Sequence, residues 1–354
     1  MKLPARSVRR VVGPMVVAGL AVGGLLLLPV LVVVAAVSSI WLRGSWRGVR
    51  LLGFALVWLV VELVALLAAF GLWVLSGFGR WIDSPPLRRA HYAMLRLILD
   101  TLVDAAQVLF KLELSTDGVS WTPMDDGVPG STNAMIVLGR HAGPGDSVLL
   151  LQTLMNRDHL RRPRIVLKDS LALDPMIDVY LHRLPAGFVD PTPAAGRDVE
   201  AVVGGLADGL GVEDALLIFP EGGNFTAQRR IRAILRLRSR GHRRYAEAAE
   251  RMRHVLPPRP GGVLAALEAA PHADVVFVAH TGLEHLQTLS SIWRSVPVRK
   301  TLELRWWFVP AAEVPSGREA RIGWLYEQWA EIDTWITANR SPGQAAGGGA
   351  TSDL

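Results

Sequence analysis

Two long apolar runs near the start of the chain constrain its fold more than any other feature. Residues 11–42 contain no charged side chain, and residues 51–79 contain one, Glu62. A helix needs about 20 apolar residues to cross a bilayer, so both runs are long enough. The sequence therefore predicts an N-terminal membrane hairpin of two hydrophobic helices over residues 1–80.

A cleaved signal peptide is the competing interpretation of the first run, because a basic segment precedes it and residues 36–38 resemble a cleavage site. The run is far longer than the roughly 7–15 residues of a signal core, and a second run follows at once, so a retained anchor is favoured. Basic residues flank the pair on both sides, which places both ends, and the domain that follows, on the cytoplasmic side of the cell (inner) membrane.

Two features of the anchor stay open at this stage. Arg43, Arg47 and Arg50 lie between the two runs, and they are compatible with a spanning hairpin or with a re-entrant one. Glu62 is costly inside a bilayer, and it has either a functional role or a role in helix–helix contact. The second role is favoured, because the sequence offers no evident partner for the carboxylate.

The amino-acid composition limits the catalytic chemistry, the metal ligands and the binding partners that this chain can have. The chain has no cysteine, which excludes disulfides and thiolate catalysis and leaves only His and carboxylate ligands for a zinc site. His280, Glu284 and His285 do not have the spacing of known zinc motifs, so no metal is expected. A net charge of +6 suits nucleic acid or an anionic membrane surface. The apolar runs favour the membrane, and no nucleic-acid partner is expected, because no recognised binding module is present.

After the anchor, short apolar strands alternate with helical segments. This pattern predicts an α/β domain over residues 81–340, a mostly parallel sheet flanked by helices, followed by a small polar tail over 341–354 that is expected to be disordered. The predicted strands are 134–139, 164–168, 187–190, 215–220, 275–280 and 303–309. The predicted helices are 86–110, 147–159, 170–184, 198–209 and 317–338.

Two of these strands run directly into glycine-rich turns that carry titratable residues. "GRHAGPGD" follows the first strand with His141 and Asp146, and "FPEGGN" ends the fourth strand with Glu221. Ligands of open α/β sheets bind at the carboxyl ends of strands, so the three side chains meet if the two strands are neighbours. A histidine beside an aspartate can take a proton from a hydroxyl while the carboxylate fixes the imidazole tautomer.

The ordered set of motifs resembles the lysophosphatidic acid acyltransferase family, whose motifs include His-x-x-x-x-Asp and Phe-Pro-Glu-Gly; residues 166–190 and 275–280 correspond to two further motifs. The resemblance implies transfer of a fatty acyl group from acyl-CoA or acyl-carrier protein to a lysophospholipid hydroxyl, with no cofactor besides that co-substrate. It implies that His141 is the general base and that Asp146 orients it. It also implies that the second glycine-rich turn shapes the acceptor site with Pro220, Glu221, Gly222 and Gly223.

Three positions depart from the family pattern. Arg140 replaces the usual Asn before the histidine, Pro191 stands where the second motif usually has its phosphate-binding Arg, and Gly223 replaces a Thr or Ser. The missing arginine leaves the phosphate contact to another residue, for which Arg140, Lys168 and Arg197 are the candidates.

A basic segment, residues 229–244, holds eight arginines with interleaved Ile and Leu. It is either a solvated helix face or an interfacial helix on anionic lipid. Two functions compete with acyl transfer. One is an anchored α/β hydrolase, which the lack of a Gly-x-Ser-x-Gly elbow disfavours, and the other is a non-catalytic module that binds anionic lipid. The oligomeric state is not indicated by the sequence.

Overall fold

The computed structural model describes residues 3–41, 45–116, 133–143, 145–156, 161–189, 199–282, 295–298 and 300–339. The helices within these ranges are α1 (Arg6–Trp41), α2 (Arg47–Leu75), α3 (Pro85–Phe110), α4 (Asp146–Met155), α5 (Pro175–Leu181), α6 (Val199–Ala207), α7 (Ala227–Ser239), α8 (Arg243–Arg251), α9 (Pro260–Ala269) and α10 (Arg318–Asn339). The strands are β1 (Leu112–Thr116), β2 (Met135–Gly139), β3 (Arg162–Lys168), β4 (Ala186–Val189), β5 (Asp214–Ile218), β6 (Asp274–Thr281) and β7 (Lys300–Val309). The predicted tail over 341–354 lies outside the described residues.

The strands form one sheet in the order β1-β7-β6-β2-β5-β3-β4. All neighbours are parallel except β6 and β7, so the prediction of a mostly parallel sheet is confirmed. The sequence did not predict β1, which is only five residues long and pairs at the edge with the antiparallel strand β7. Its polar sequence, LELST, lacks the continuous apolar run that marks a central parallel strand.

Helices cover both faces of this sheet. One apolar core lies between the sheet and α6, α9 and α10, and it includes the fully buried Trp329. The other lies between the sheet and α3 and α4, where Leu150 and Leu154 are buried. Every residue of β2, β5 and β6 is buried, as expected of central strands that are packed on both faces.

The central strand β2 pairs with β5 on one side and with β6 on the other, all three in the same direction. Leu138 is in register with Ile218 and with Phe277, so β2 and β5 end at nearly the same level, and β6 continues for three residues beyond Val278, the partner of Gly139. The segments that follow β2 and β5 are the two glycine-rich turns. The sheet therefore brings both turns, and the end of β6, to one edge.

The N-terminal helices pack against the α/β domain through α5. Glu62 is fully buried, and its carboxylate accepts a hydrogen bond of 2.9 Å from the Met176 backbone N–H in the first turn of α5. At the start of α1, Arg9 donates to the Asp178 carboxylate at 2.6 Å. Glu62 therefore takes part in helix contact, as favoured above, but its partner is the start of α5, where a carboxylate satisfies an otherwise unpaired N–H group.

Helix α2 lies alongside this domain over most of its length. Near its beginning, Arg47 and Arg50 donate to the carbonyls of Val296 and Leu109, each at 2.9 Å. In its second half, the Tyr180 hydroxyl donates to the Ala65 carbonyl at 2.9 Å. By length and composition, both α1 and α2 could cross a membrane. Most side chains of α1 are exposed.

The predicted single helix over 170–184 is wrong in detail. The segment forms a short 3-10 turn over Asp169–Leu173 and then the separate helix α5. Pro175 occupies the first helical position, and the Asp174 side chain caps α5 by accepting from the Ile177 N–H at 2.9 Å. Proline and a capping aspartate are favoured at the start of a helix and are unfavourable inside one, so a new helix begins here.

Candidate active site

His141 and Asp146 lie in the turn between β2 and α4, where Asp146 is the first residue of the helix. The His141 Nδ1 atom is 3.2 Å from the Asp146 Oδ2 atom. The same oxygen accepts backbone N–H groups from Ala142 at 2.5 Å and from Gly143 at 2.7 Å. The turn is therefore closed around one carboxylate oxygen, which holds the imidazole with its Nδ1 side toward the protein.

A second histidine contacts this oxygen. His280, near the end of β6, places its Nε2 atom 3.4 Å from Asp146 Oδ2, and both side chains are almost completely buried. Burial by itself would raise the pKa of Asp146. The nearby imidazole of His280, the hydrogen bond with His141 and the Gly143 N–H together hold that pKa well below its ordinary value. Asp146 is therefore ionised at neutral pH.

The imidazole of His141 is accessible, with 20% of the side chain exposed. One face packs on the Phe219 ring, whose centroid is 4.6 Å away. Its Nε2 atom has no hydrogen-bond partner among the residues that the structure describes. With Nδ1 fixed by the carboxylate, Nε2 is the atom that can accept a proton from a reactant at the sheet edge.

Glu221 links the two glycine-rich turns. Its buried carboxylate accepts the His141 N–H at 3.2 Å through one oxygen and the Leu256 N–H at 3.0 Å through the other. Burial raises the pKa of Glu221 to about 8, although the Arg140 charge and the two N–H donors act in the opposite direction. Glu221 therefore positions the backbone of His141 and is not placed as a solvent-facing acid.

The raised pKa of Glu221 gives a testable pH dependence of stability. The protonated carboxyl is favoured in the folded state, so its contribution is fully present below the ordinary glutamate pKa and is lost as pH rises through about 8. We expect the unfolding temperature of the wild-type chain in detergent, relative to Glu221→Gln, to fall between about pH 5 and pH 8. A constant difference across that range would show that Glu221 is ionised in the folded state.

The turn after Glu221 requires glycine at two successive positions. Gly222 and Gly223 have φ angles of +66° and +153°, in the region that side chains other than glycine rarely adopt. A Cβ atom at Gly222 would lie 2.9 Å from Arg259 Cζ, and one at Gly223 would lie 2.8 Å from a guanidinium nitrogen of Arg229. The departure from the family pattern at Gly223 thus makes room for an arginine. The Gly222 N–H already donates to the Phe219 carbonyl at 3.0 Å, so it is not free to meet a reactant.

The structure corrects the expectation for Arg140. Its side chain is completely buried, and it donates to the carbonyls of His280 at 2.6 Å and His254 at 3.1 Å. It therefore joins the end of β6 to the loop before α9 and cannot reach a substrate phosphate. Lys168 is exposed at the end of β3, two strands from β2, and stays a candidate. Arg197, Glu284 and His285 lie outside the described residues.

His280 is the site residue that sequence reasoning missed. The sequence pointed to it only as part of a rejected metal motif, since nothing local links position 280 to position 146. The available signal was its place at the end of an apolar strand. That signal becomes useful only when β6 is known to be a neighbour of β2.

Two comparisons relate the chain to known proteins. The family model described as Acyltransferase matches residues 126–281, a segment that includes His141, Asp146, Glu221 and His280. Among solved structures, the chain is similar to the 1-acyl-sn-glycerophosphate (LPA) acyltransferase PlsC from Thermotoga maritima, with 16% identity, a TM-score of 0.46, and coverage of 80% of this chain and 97% of that one. A search of curated proteins finds no match. The segment that resembles the acyltransferase family therefore contains the described residues of the candidate site.

Proposed function

We propose that the chain transfers a fatty acyl group from an acyl thioester to the hydroxyl of a lysophospholipid, with 1-acyl-glycerol-3-phosphate as the first acceptor to test. The observation that carries this proposal is the pairing of an accessible His141 with the buried, ionised Asp146 at 3.2 Å. The acyltransferase match supports the reaction class. The donor, acyl-CoA or acyl-carrier protein, follows from the resemblance of the motifs to the lysophosphatidic acid acyltransferase family.

In this mechanism His141 is the general base. Its Nε2 atom removes the proton of the acceptor hydroxyl as that oxygen attacks the thioester carbonyl. The tetrahedral intermediate then collapses, the carbon–sulfur bond breaks, and the leaving thiolate takes the proton from the imidazolium. Asp146 keeps Nδ1 protonated and stabilises the imidazolium, so the base needs no covalent intermediate. The products are the new ester and a free thiol.

Hydrolysis of the thioester is the reaction that the same base would catalyse with water as the nucleophile. The test is therefore a labelled acyl-CoA assay on purified full-length protein, with and without lysophosphatidate. An acyltransferase forms labelled phosphatidate only when the acceptor is present. Free fatty acid without acceptor would indicate a hydrolase, and no turnover of either kind would favour a lipid-binding module. A panel of lysolipids with acyl-CoA and acyl-carrier protein then identifies the acceptor and donor.

We also propose that α1 and α2 hold the chain on the cytoplasmic face of the cell membrane as a re-entrant hairpin. The domain contacts α2 both at Arg47 and at Ala65, and a helix of 29 residues is about 44 Å long. A hairpin that crossed the bilayer would place one of these contacts on the far side of the membrane. The contacts therefore support an anchor that enters and leaves by the same surface.

The topology can be measured because the wild-type chain has no cysteine. In intact cells, Ser45→Cys in the loop between α1 and α2 is expected to resist an impermeant maleimide, and to react only after the membrane is opened. Ser239→Cys at the end of α7 is the matched control on the catalytic domain. Labelling of position 45 from outside, with position 239 protected, would show that the hairpin spans the membrane.

A further inference from the structure

Two arginines, Arg259 and Arg229, lie against the two glycines that follow Glu221, and the charges of two more, Arg236 and Arg240, act on Arg259. Arg229, Arg236 and Arg240 are seven and four positions apart, so they lie on one face of α7 and its C-terminal cap. Arg259 comes from the loop that leads into α9, and its backbone N–H donates to the Pro220 carbonyl at 2.8 Å. These four residues are called the arginine cluster below.

The members of the cluster are close enough to repel one another. Partial burial and the positive charges of Arg236, Arg229 and Arg240 lower the pKa of Arg259. The guanidinium groups of Arg259 and Arg229 lie directly over the glycine backbone, as the close approaches to Gly222 and Gly223 show. Side chains at these two positions would occupy the same space. The turn and the cluster are therefore built around each other.

Other arginines of the same segment have several carbonyl or carboxylate partners, whereas within the described residues the cluster makes one side-chain hydrogen bond, from Arg229 to the Asn224 carbonyl at 3.2 Å. Arg230 donates to the carbonyls of Met252 and Glu250, and Arg238 forms an ion pair with Glu250 at 2.5 Å. Among the described residues, no carboxylate pairs with any member of the cluster. Like charges that converge without a counter-charge are unfavourable, and an anion bound between them would relieve the repulsion.

The cluster adjoins the catalytic histidine through the same turn. Glu221 accepts the His141 N–H at one end of the turn, and the Phe225 N–H donates to the His141 carbonyl at 2.9 Å at the other. Gly222 and Gly223 lie between these two contacts. An anion on the cluster would thus be held by the loop that also fixes the position of the base.

We propose that the arginine cluster binds a phosphate group of one of the two reactants, so that the reacting part of that molecule lies at His141. Guanidinium groups bind phosphate through paired, charge-assisted hydrogen bonds, and a group of four suits a doubly charged phosphate. This inference rests on the proposed function. The phosphate belongs either to the lysophospholipid head group or to the coenzyme A of the donor, and the two sources are separated by experiment.

The test compares Arg259→Gln and Arg229→Gln with the matched control Arg243→Gln. Arg243 is exposed at the start of α8 and has no ion pair among the described residues. One arm measures KM for lysophosphatidate and for the phosphate-free monoacylglycerol. The other measures KM for acyl-CoA and for the acyl thioester of pantetheine, which has no phosphate. We expect both cluster variants to raise KM about tenfold or more for one phosphate-bearing reactant, with a much smaller change in kcat.

The result should disappear when that phosphate is absent from the reactant, and the affected arm identifies its source. Equal KM increases for the phosphate-free reactants, or variants that match Arg243→Gln in both arms, would overturn the proposal. So would loss of binding to phosphatidylglycerol vesicles with no change in either KM, which would make the cluster a membrane contact.

Binding of inorganic pyrophosphate gives a readout without turnover. It should raise the unfolding temperature of the wild-type chain more than that of Arg259→Gln. Equal shifts would count against the cluster. If the wild-type chain transferred no acyl group, the proposed function would fail, and pyrophosphate binding would still test the site.

Discussion

Replacing His141 with alanine should reduce acyl transfer by a factor on the order of 10²–10⁴, while the protein still enters membranes and folds. The size follows from the loss of a positioned general base. The His141 side chain is one-fifth exposed, and its Nε2 atom has no hydrogen-bond partner among the described residues. Removing the side chain therefore breaks no hydrogen bond at Nε2, and we expect the fold to be retained. The measurement is the initial rate with saturating donor and acceptor, together with the unfolding temperature in detergent.

His242→Ala is the matched control, because His242 is an exposed histidine between α7 and α8 and caps α8 without a side-chain hydrogen bond. It should retain the wild-type rate and thermal stability. Activity of His141→Ala within threefold of wild type would remove His141 from the chemistry. It would leave the paired histidine and aspartate as a structural feature of the turn.

The part of the site that could be predicted from sequence is the part that follows from strand ends. His141 and Glu221 each follow an apolar strand of five residues. In an open parallel sheet, residues at these positions reach one edge whenever their strands are neighbours. The local sequence therefore predicted which residues lie at the site edge of the sheet. The pairing of β2 with β5 then showed that these residues lie close together. Asp146 was predictable as well, because it lies within the same turn.

The remaining residues of the site depend on packing between distant segments. His280 reaches Asp146 only because β6 is the other neighbour of β2, and Arg259 reaches Gly222 only through the loop before α9. For the same reason the interpretation of Arg140 was wrong. A buried arginine that donates to two backbone carbonyls has the same local sequence as an exposed one that binds phosphate. Glu62 likewise acquired a partner 114 residues away.

Asp146→Asn should lower kcat to a similar extent as His141→Ala, with little change in the acceptor KM. In the wild-type chain, one carboxylate oxygen accepts the Ala142 and Gly143 N–H groups and the Nδ1–H of His141. An asparagine oxygen can still accept the two backbone groups, so the turn is retained. The negative charge that stabilises the imidazolium is lost, and the amide no longer enforces the tautomer that leaves Nε2 free as the base.

His280→Gln tests whether any change around Asp146 is enough to lower the rate. It replaces the second imidazole that contacts the Asp146 Oδ2 atom and keeps the Asp146 charge. Its Nε2 contact of 3.4 Å is longer than that of His141, and three donors to Asp146 remain when it is removed. We therefore expect a loss of about tenfold, well below that of Asp146→Asn. If Asp146→Asn instead raised only the acceptor KM and left kcat unchanged, Asp146 would be a binding residue. His141 would then not depend on the Asp146 carboxylate for its orientation.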